Sequence, residues 1–267
     1  MGQHVKTDGL VIGVLGGMGP QATADFLAKL VAATPVDREQ DHLRVQIDSN
    51  PKVPDRSDAI AGRGPSPGPV LAAMAAALER AGVDFLVMPC NTAHAFELEI
   101  RAGLGVPFVS IVAEAGAACR RNWPAARRYG LLATSGCIAA RLYQDNFEDN
   151  VEEVLEDRHA APVPSVVTLS PADQQRFMAL LYRIKLGDQS NAARAAMRGF
   201  GNALIDAGAD VIIAGCTEVP LVLGATDLAR PVLDTSANLA QRCVRYALRF
   251  EPLPAHAQPF MIEISKA

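Results

Sequence analysis

Short apolar runs recur along the chain, and each is followed by a turn and then by apolar residues at helical spacing. Residues 10–15 form the first run, residues 16–20 form a glycine-rich turn, and the apolar side chains that follow are Ala22, Phe26, Leu27, Leu30 and Val31. Parallel strands buried on both faces have such uninterrupted apolar runs, and spacing by three or four residues indicates a helix. The pattern predicts an α/β protein whose central sheets are mainly parallel.

The same pattern extends to the end of the chain. Further strands are predicted at residues 43–47, 84–88, 129–133 and 166–169. Helices are predicted at residues 70–81, 114–128, 138–147, 171–186 and 236–249, and another is predicted to start at residues 91–93. The other segments are predicted as loops at residues 48–57 and 64–69, an acidic stretch at 148–157, a linker at 159–164 and an extended tail from 251.

Two stretches of the chain, residues 81–92 and 207–218, share one pattern. Each begins with Ala-Gly-x-Asp, continues as an apolar run and ends in a cysteine followed by a polar step, and Cys216 follows Cys90 by 126 residues (216 − 90). Solenoids need several shorter units, so this period indicates two copies of one α/β unit. We predict a first domain of residues 1–113 with 230–267, and a second domain of residues 114–229.

Composition excludes several classes of function. The chain has 267 residues, 49% of them hydrophobic and 20% charged, which is typical of a globular protein with a large core. A net charge of −4 argues against nucleic-acid binding, which needs a basic excess on one face. No run reaches the roughly 18 to 20 apolar residues of a membrane span, and residues 1–8 do not resemble a signal peptide. We expect a cytoplasmic protein without nucleic-acid or membrane partners.

The five cysteines lack C-x-x-C spacing, which favours free thiols in a reducing compartment. A single cysteine is usually a buried apolar residue, but Cys90 and Cys216 occupy equivalent strand ends, which favours function. If helices begin after them, the helix N-termini lower the thiol pKa values. Cys119 and Cys243 fall within predicted helices and are interpreted as packing residues.

His94, four residues after Cys90, adds only a second potential ligand to a zinc site that needs four, so no metal is expected.

Three other features allow a functional and a purely structural interpretation. The turn at residues 16–20 fits neither the dinucleotide nor the P-loop pattern, and it is either a tight turn or a cradle for a carboxylate. Asp55 and Arg56 lie in a loop after a predicted strand, where α/β proteins bind ligands, although such a pair is often only solvated. Lys185 is either a ligand contact or a cation at a helix C-terminus.

The motifs at residues 16–20, 50–56, 88–94 and 215–218 together resemble those of the aspartate racemases in the aspartate/glutamate/hydantoin racemase superfamily. The resemblance covers about residues 10–248. It implies two α/β domains related by a pseudo-twofold axis, with the active site in the cleft between them. It also implies that the protein needs no cofactor and forms a homodimer.

The resemblance assigns roles residue by residue. It implies that Cys90 and Cys216 are the catalytic acid and base. The substrate-binding positions that it implies are Met18, Asp55, Arg56, Asn91, Thr92, Ala93, Thr134, Lys185, Thr217 and Glu218. Cys137 is a departure, because relatives often carry threonine there, and hydrogen bonding beside the cleft is expected to differ.

The chemistry explains why such an enzyme needs two thiols. Inverting a stereocentre requires a base on one face of the α-carbon and an acid on the other. Preorganised donors must offset the charge of the carbanion, and Arg56 with Lys185 could hold an acidic side chain. We expect interconversion of L- and D-aspartate. The alternatives are a racemase for glutamate or another amino acid, a relative that decarboxylates malonates or isomerises maleate, and a non-catalytic amino-acid-binding protein.

Overall fold

The chain forms two four-stranded parallel sheets in the computed structural model, which describes residues 9–148 and 164–254. The first sheet has the order β2-β1-β3-β4, and its strands are β1 (Ile12–Gly16), β2 (Val45–Ser49), β3 (Phe85–Val87) and β4 (Phe108–Val109). The second has the order β6-β5-β7-β8, and its strands are β5 (Arg128–Leu131), β6 (Ser165–Val167), β7 (Val211–Ala214) and β8 (Val232–Asp234). The predicted α/β class is confirmed.

The sequence repeat corresponds to the matching strand order of the two sheets. In the first sheet β3 pairs with β1, with Val87 opposite Val14, and in the second β7 pairs with β5, with Ile213 opposite Leu131. The strands before Cys90 and Cys216 are therefore equivalent. Because all pairs are parallel, the carboxyl ends of β3 and β7 each lie at the ligand-binding edge of a sheet.

Helices connect successive strands of both sheets. They are α1 (Pro20–Ala33), α2 (Arg56–Ile60), α3 (Gly68–Arg80), α4 (Glu97–Arg101), α5 (Ile111–Asn122), α6 (Ser135–Ala139), α7 (Leu142–Glu148), α8 (Pro171–Lys185), α9 (Asn191–Asp206) and α10 (Thr235–Ala247). Several begin at a side-chain cap; Ser110, for example, accepts a hydrogen bond from the Ala113 backbone N–H. Such caps satisfy backbone donors that have no partner inside the helix.

Local chemistry explains where the predicted helices differ from the observed ones. The helix expected at residues 138–147 is two helices, α6 and α7, because Arg141 between them has a left-handed φ of 52°. The helix expected at 114–128 begins earlier, at the Ser110 cap, and ends at Asn122. Arg56 begins α2 inside the segment predicted as a loop, with Asp55 as its cap.

No helix was predicted at α9, although the sequence contains a helix signal there. Ser190 caps its first turn. Its buried side chains recur at helical spacing, and they include Ala193, Met197, Phe200 and Leu204.

The segment after residue 230 joins both halves. It was predicted to belong to the first domain, but β8 is hydrogen-bonded to β7 in the second sheet, whereas α10 packs against α1 and α5. The division into domains stays a prediction. The predicted acidic stretch and the linker lie almost wholly outside the described residues, as does most of the tail.

One buried apolar cluster contains residues of both sheets. Val14 and Val87 of the first sheet belong to it together with Leu131 and Ile213 of the second. The two halves thus share part of their core, which fixes one set of strand ends relative to the other. Within residues 9–148 and 164–254, no helix has the length and apolar character needed to cross a membrane.

The turn at residues 16–20 requires glycine at one position. Gly17 has a φ of 89°, and a Cβ there would lie 2.4 Å from the backbone N of Asn50. We predict that Gly17→Ala destabilises the protein through both strain and overlap. Gly82→Ala is the matched control, because Gly82 has a φ of 84° but no atom within 4 Å of a built Cβ.

The control should cost about 1–2 kcal/mol for its φ, and Gly17→Ala should cost a further 1–3 kcal/mol or so from overpacking. Urea unfolding of both variants measures the difference. Equal losses would show that the close approach of residues 17 and 50 is unimportant for stability.

Candidate active site

Cys90 and Cys216 lie just beyond the carboxyl ends of β3 and β7, and the structure separates them from the other cysteines. Each has a relative exposure of 6%, whereas Cys119, Cys137 and Cys243 have 0%. All five thiols are free. The two cysteines singled out by the repeat are therefore the two that retain some access to solvent.

Glu218 connects the Cys216 thiol to the glycine-rich turn. The Cys216 Sγ donates to Glu218 Oε2 at 3.0 Å, and the Gly19 backbone N–H donates to Glu218 Oε1 at 3.2 Å. Glu218 is 2% exposed, so its carboxylate is compensated almost entirely by protein groups. The turn thus binds a carboxylate, and that carboxylate belongs to the chain itself.

The pKa of the Cys216 thiol lies well above its ordinary value, contrary to the expectation from a helix N-terminus. Burial is the largest cause, the charge of Glu218 adds to it, and Lys185 only partly opposes them. No α-helix follows directly, because a turn leads to a short 3-10 helix at Val219–Leu221. Cys216 is consequently a protonated thiol in the free protein.

The segment after Cys90 also differs from the predicted helix. A 3-10 helix, Thr92–Phe96, comes first, and α4 starts only at Glu97. Both ring nitrogens of His94 are engaged by the backbone, Nδ1 at 2.9 Å from the Cys90 carbonyl oxygen and Nε2 at 3.3 Å from the Ile111 nitrogen. The Ile111 N–H donates to Nε2, which assigns the proton to Nδ1. Burial lowers the pKa of His94, so a neutral imidazole with no free nitrogen holds the Cys90 backbone.

Arg56 supplies a cation beside Cys90. Burial lowers the pKa of its guanidinium, but the charges of Cys90, Asp55 and Glu218 raise it by more than burial lowers it. The net shift of the pKa is therefore upward. Its Nη1 donates to the Val53 and Pro54 carbonyls. Its Nε is buried without a hydrogen-bond partner among the described residues. A buried donor of this kind favours an anionic ligand as its missing partner.

Lys185 supplies a second cation, from the other half of the chain. Burial lowers the pKa of its ammonium group, but Cys216, Glu218 and Cys90 together raise it above its ordinary value. Both thiols therefore lie within electrostatic range of one ammonium. Its Nζ also lies 5.0 Å from the centroid of the Tyr182 ring, which is a cation–π geometry.

Asp55 is mainly engaged in local structure. Its Oδ1 accepts hydrogen bonds from the backbone N–H groups of Ser57 and Asp58, and its Oδ2 accepts one from the Tyr182 hydroxyl at 3.4 Å. Burial raises its pKa, but these backbone bonds and the charges of Arg56 and Lys185 outweigh it, so the pKa is below its ordinary value. Asp55 positions Arg56 by capping α2.

The remaining predicted residues divide into apolar and hydrogen-bonded groups. Met18 and Ala93 are buried in the same cluster as Cys90. The Thr92 and Thr134 hydroxyls lie 2.7 Å apart, and the Thr217 hydroxyl donates to Glu218 at 3.5 Å. Only one of the two protons of the Thr92–Thr134 pair is used between them, because one hydroxyl donates and the other accepts, so the pair keeps one hydroxyl proton that can be donated elsewhere.

Cys137 is buried beside this hydroxyl pair. Its backbone N–H donates to the Thr134 Oγ1 at 3.1 Å. Burial raises the pKa of its thiol. The thiol therefore remains protonated, and the local hydrogen bonds are made by Thr134.

Three residues near the site were absent from the sequence-based set. Tyr182 contacts Asp55 and Lys185. Tyr143 and Thr235 both hydrogen-bond to the Asn91 side chain. Tyr182 precedes Lys185 by three residues on α8, which is a detectable signal, whereas Tyr143 and Thr235 are distant from the cysteine motifs in sequence.

Comparison with known proteins confirms the family resemblance. Residues 15–243 match the profile of the family described as Asp/Glu/Hydantoin racemase. Over 245 residues, 90% of this chain and 100% of the relative, the chain is 29% identical to the broad specificity amino-acid racemase RacX of Bacillus subtilis strain 168.

Solved structures of racemases have the same fold as this chain. Picrophilus torridus aspartate racemase matches with a TM-score of 0.76 and 26% identity, over 90% of this chain and 94% of that chain. An aspartate racemase homologue from Pyrococcus horikoshii OT3 shares the fold, with a TM-score of 0.65 and 21% identity over 88% and 98% of the two chains. The profile match and the shared architecture show that this chain belongs to the Asp/Glu/hydantoin racemase family.

Proposed function

We propose that this amino-acid racemase interconverts L- and D-aspartate without a cofactor, using Cys90 and Cys216 as its two proton carriers. One observation carries the proposal. The two partly accessible thiols follow equivalent strands of the two sheets, and Lys185 interacts electrostatically with both. This arrangement suits a reaction that needs one proton-transfer group on each face of a carbon atom.

The proposed reaction moves one proton in each step. A thiolate removes the α-proton, so that the C–H bond breaks, an S–H bond forms, and the electron pair is delocalised into the α-carboxylate. The thiol on the opposite face then gives its proton to the α-carbon and becomes a thiolate. Cys216, which burial and Glu218 hold as a thiol in the free protein, is the proposed acid for one enantiomer, with Cys90 as its partner in the reaction. The roles exchange for the opposite enantiomer.

Two cations in the site favour a substrate with two carboxylates. Arg56 has a buried Nε that finds no hydrogen-bond partner in the part of the chain that the structure describes, and its planar fork suits a carboxylate. Lys185 comes from the other half as a point charge. The carbanion increases the negative charge on the α-carboxylate, so cations fixed nearby stabilise the transition state more than the bound substrate.

A second candidate is racemisation of a wider set of amino acids. The observation that favours it is the 29% identity, over its full length, to a relative named for its broad specificity. A panel of purified L-amino acids, followed by chiral chromatography, distinguishes aspartate, glutamate and broad specificity. A homodimer and a cytoplasmic location stay predictions.

Replacing either proposed catalytic thiol should abolish racemisation. We predict that Cys90→Ala and Cys216→Ala each lower the rate by at least about 10²–10⁴-fold, the usual contribution of a general acid or base. Cys119→Ala is the control, because Cys119 is 0% exposed on α5 and has a pKa raised by burial to about 12. Chiral chromatography of L-aspartate incubations measures all three, and near-wild-type racemisation by either active-site variant refutes the assignment.

Removing either cation should affect acidic substrates most. We predict that Arg56→Ala and Lys185→Ala lower kcat/KM for aspartate about 10- to 150-fold, which corresponds to roughly 1.5–3 kcal/mol for a hydrogen bond to a charged group. A neutral amino acid, if accepted, should lose less. Arg183→Ala is the control, because Arg183 is an exposed cation on the same helix and pairs with Asp188. Equal losses on acidic and neutral substrates would exclude recognition of the side-chain carboxylate.

A further inference from the structure

A buried hydrogen-bond network joins the segments that carry the two thiols, and two of its members, Tyr143 and Thr235, are not among the residues assigned to the substrate or to proton transfer. It consists of Asn91, Tyr143, Thr235 and the Ala214 carbonyl. Asn91 directly follows Cys90, and Ala214 precedes Cys216 by two residues. The network therefore connects the end of β3 to the end of β7.

Tyr143 fixes one end of the Asn91 side chain. It lies on α7 with 0% exposure, and its hydroxyl donates to Asn91 Oδ1 at 2.6 Å. Burial raises the pKa of the phenol, so the hydroxyl keeps the proton that it donates. Its ring also reaches the second thiol segment, because a Cβ built on Gly215 would lie 3.3 Å from the Tyr143 Cε2 atom.

Thr235 fixes the other end of Asn91. It is the first residue of α10 and has 0% exposure. Its hydroxyl accepts a hydrogen bond from Asn91 Nδ2 at 3.3 Å and donates to the Ala214 carbonyl at 2.8 Å. A threonine hydroxyl has one proton to donate, and here that proton goes to the Ala214 carbonyl while the oxygen accepts from Asn91. The two bonds together fix the orientation of the hydroxyl group. The path from Cys90 to Cys216 through Asn91 and Thr235 has no solvent-exposed step.

Core packing alone does not account for these groups. Phenylalanine and valine would fill similar volumes, whereas buried hydroxyl and amide groups impose a cost unless every partner is in place. Directional bonds of this kind admit one relative placement of the segments they join. The two thiols need such a placement, because an error of about 1 Å in positioning can reduce a rate by 10²-fold.

We propose that Tyr143 and Thr235 are positioning residues that set the Cys90 and Cys216 segments relative to each other, so that proton removal at one face is followed by delivery at the other. This inference rests on the proposed two-thiol racemisation. When the second thiol is misplaced, the carbanion regains a proton from the first. Because delivery from the second thiol is slow in that case, the first thiol has time to exchange its proton with solvent before it returns one, so the starting enantiomer is recovered with solvent hydrogen at its α-carbon.

The test measures two rates in deuterium oxide for each variant. Inversion is followed by chiral chromatography, and α-deuterium in the recovered starting enantiomer is followed by mass spectrometry. We expect Tyr143→Phe and Thr235→Val to lower the ratio of inversion to exchange about tenfold or more, with KM within about twofold of the wild type. Thr235→Ser, which retains the hydroxyl, should restore most of the ratio.

Tyr129→Phe is the matched control. Tyr129 is 1% exposed, and its hydroxyl donates to the Trp123 carbonyl at 3.4 Å. The control loses the same atom from the core but no bond to a thiol segment, so its ratio should equal that of the wild type. A mutation that only reduces the amount of folded enzyme lowers both rates equally and leaves the ratio unchanged.

The outcomes separate this inference from the proposed function. An active wild type with an unchanged ratio in Tyr143→Phe overturns the positioning role, as does an equal fall in Tyr129→Phe. If Tyr143→Phe does not fold, the ratio in Thr235→Val decides. A folded wild type that inverts no amino acid overturns the proposed function, and the inference with it.

Discussion

The compensation of one buried carboxylate determines the arrangement of the site. Glu218 is 2% exposed, and a buried charge is costly unless it is paired and hydrogen-bonded. The Cys216 thiol and the Thr217 hydroxyl donate hydrogen bonds to it from one half of the chain, and the Gly19 backbone N–H donates one from the other half. Arg56 and Lys185 supply positive charge, again one from each half. The same contacts that satisfy Glu218 therefore draw the glycine-rich turn, the second thiol and both cations to one place.

This compensation makes the two thiols unequal although the sequence repeat makes their strands equivalent. Cys216 has a carboxylate partner that keeps it protonated, whereas Cys90 lies beside a guanidinium and has its backbone held by His94. A racemase needs an acid and a base at the same time, and two chemically identical environments would not define which is which. The fold places the two cysteines after equivalent strands, whereas the side chains around each cysteine give the two thiols different environments.

The sequence predicted the parts of the site that depend on local pattern. The apolar runs located β3 and β7, and the repeat singled out Cys90 and Cys216. The contacts of Tyr143 and Thr235 could not be predicted, because they reach Asn91 across 52 and 144 residues and follow from how α7 and α10 pack. The direction of the Cys216 pKa was predicted wrongly for a related reason, since burial outweighs any helix effect and burial is a tertiary property.

If one thiol serves each face of the α-carbon, the isotopic content of the first product must show it. With L-aspartate in deuterium oxide, we expect early D-aspartate to carry deuterium at the α-carbon while the remaining L-aspartate is still largely protiated. This follows because the thiol that delivers has exchanged with solvent and the thiol that removes retains the substrate proton. Early product with substantial protium would rule out two separate proton carriers, because it would show one group moving the same proton from one face to the other.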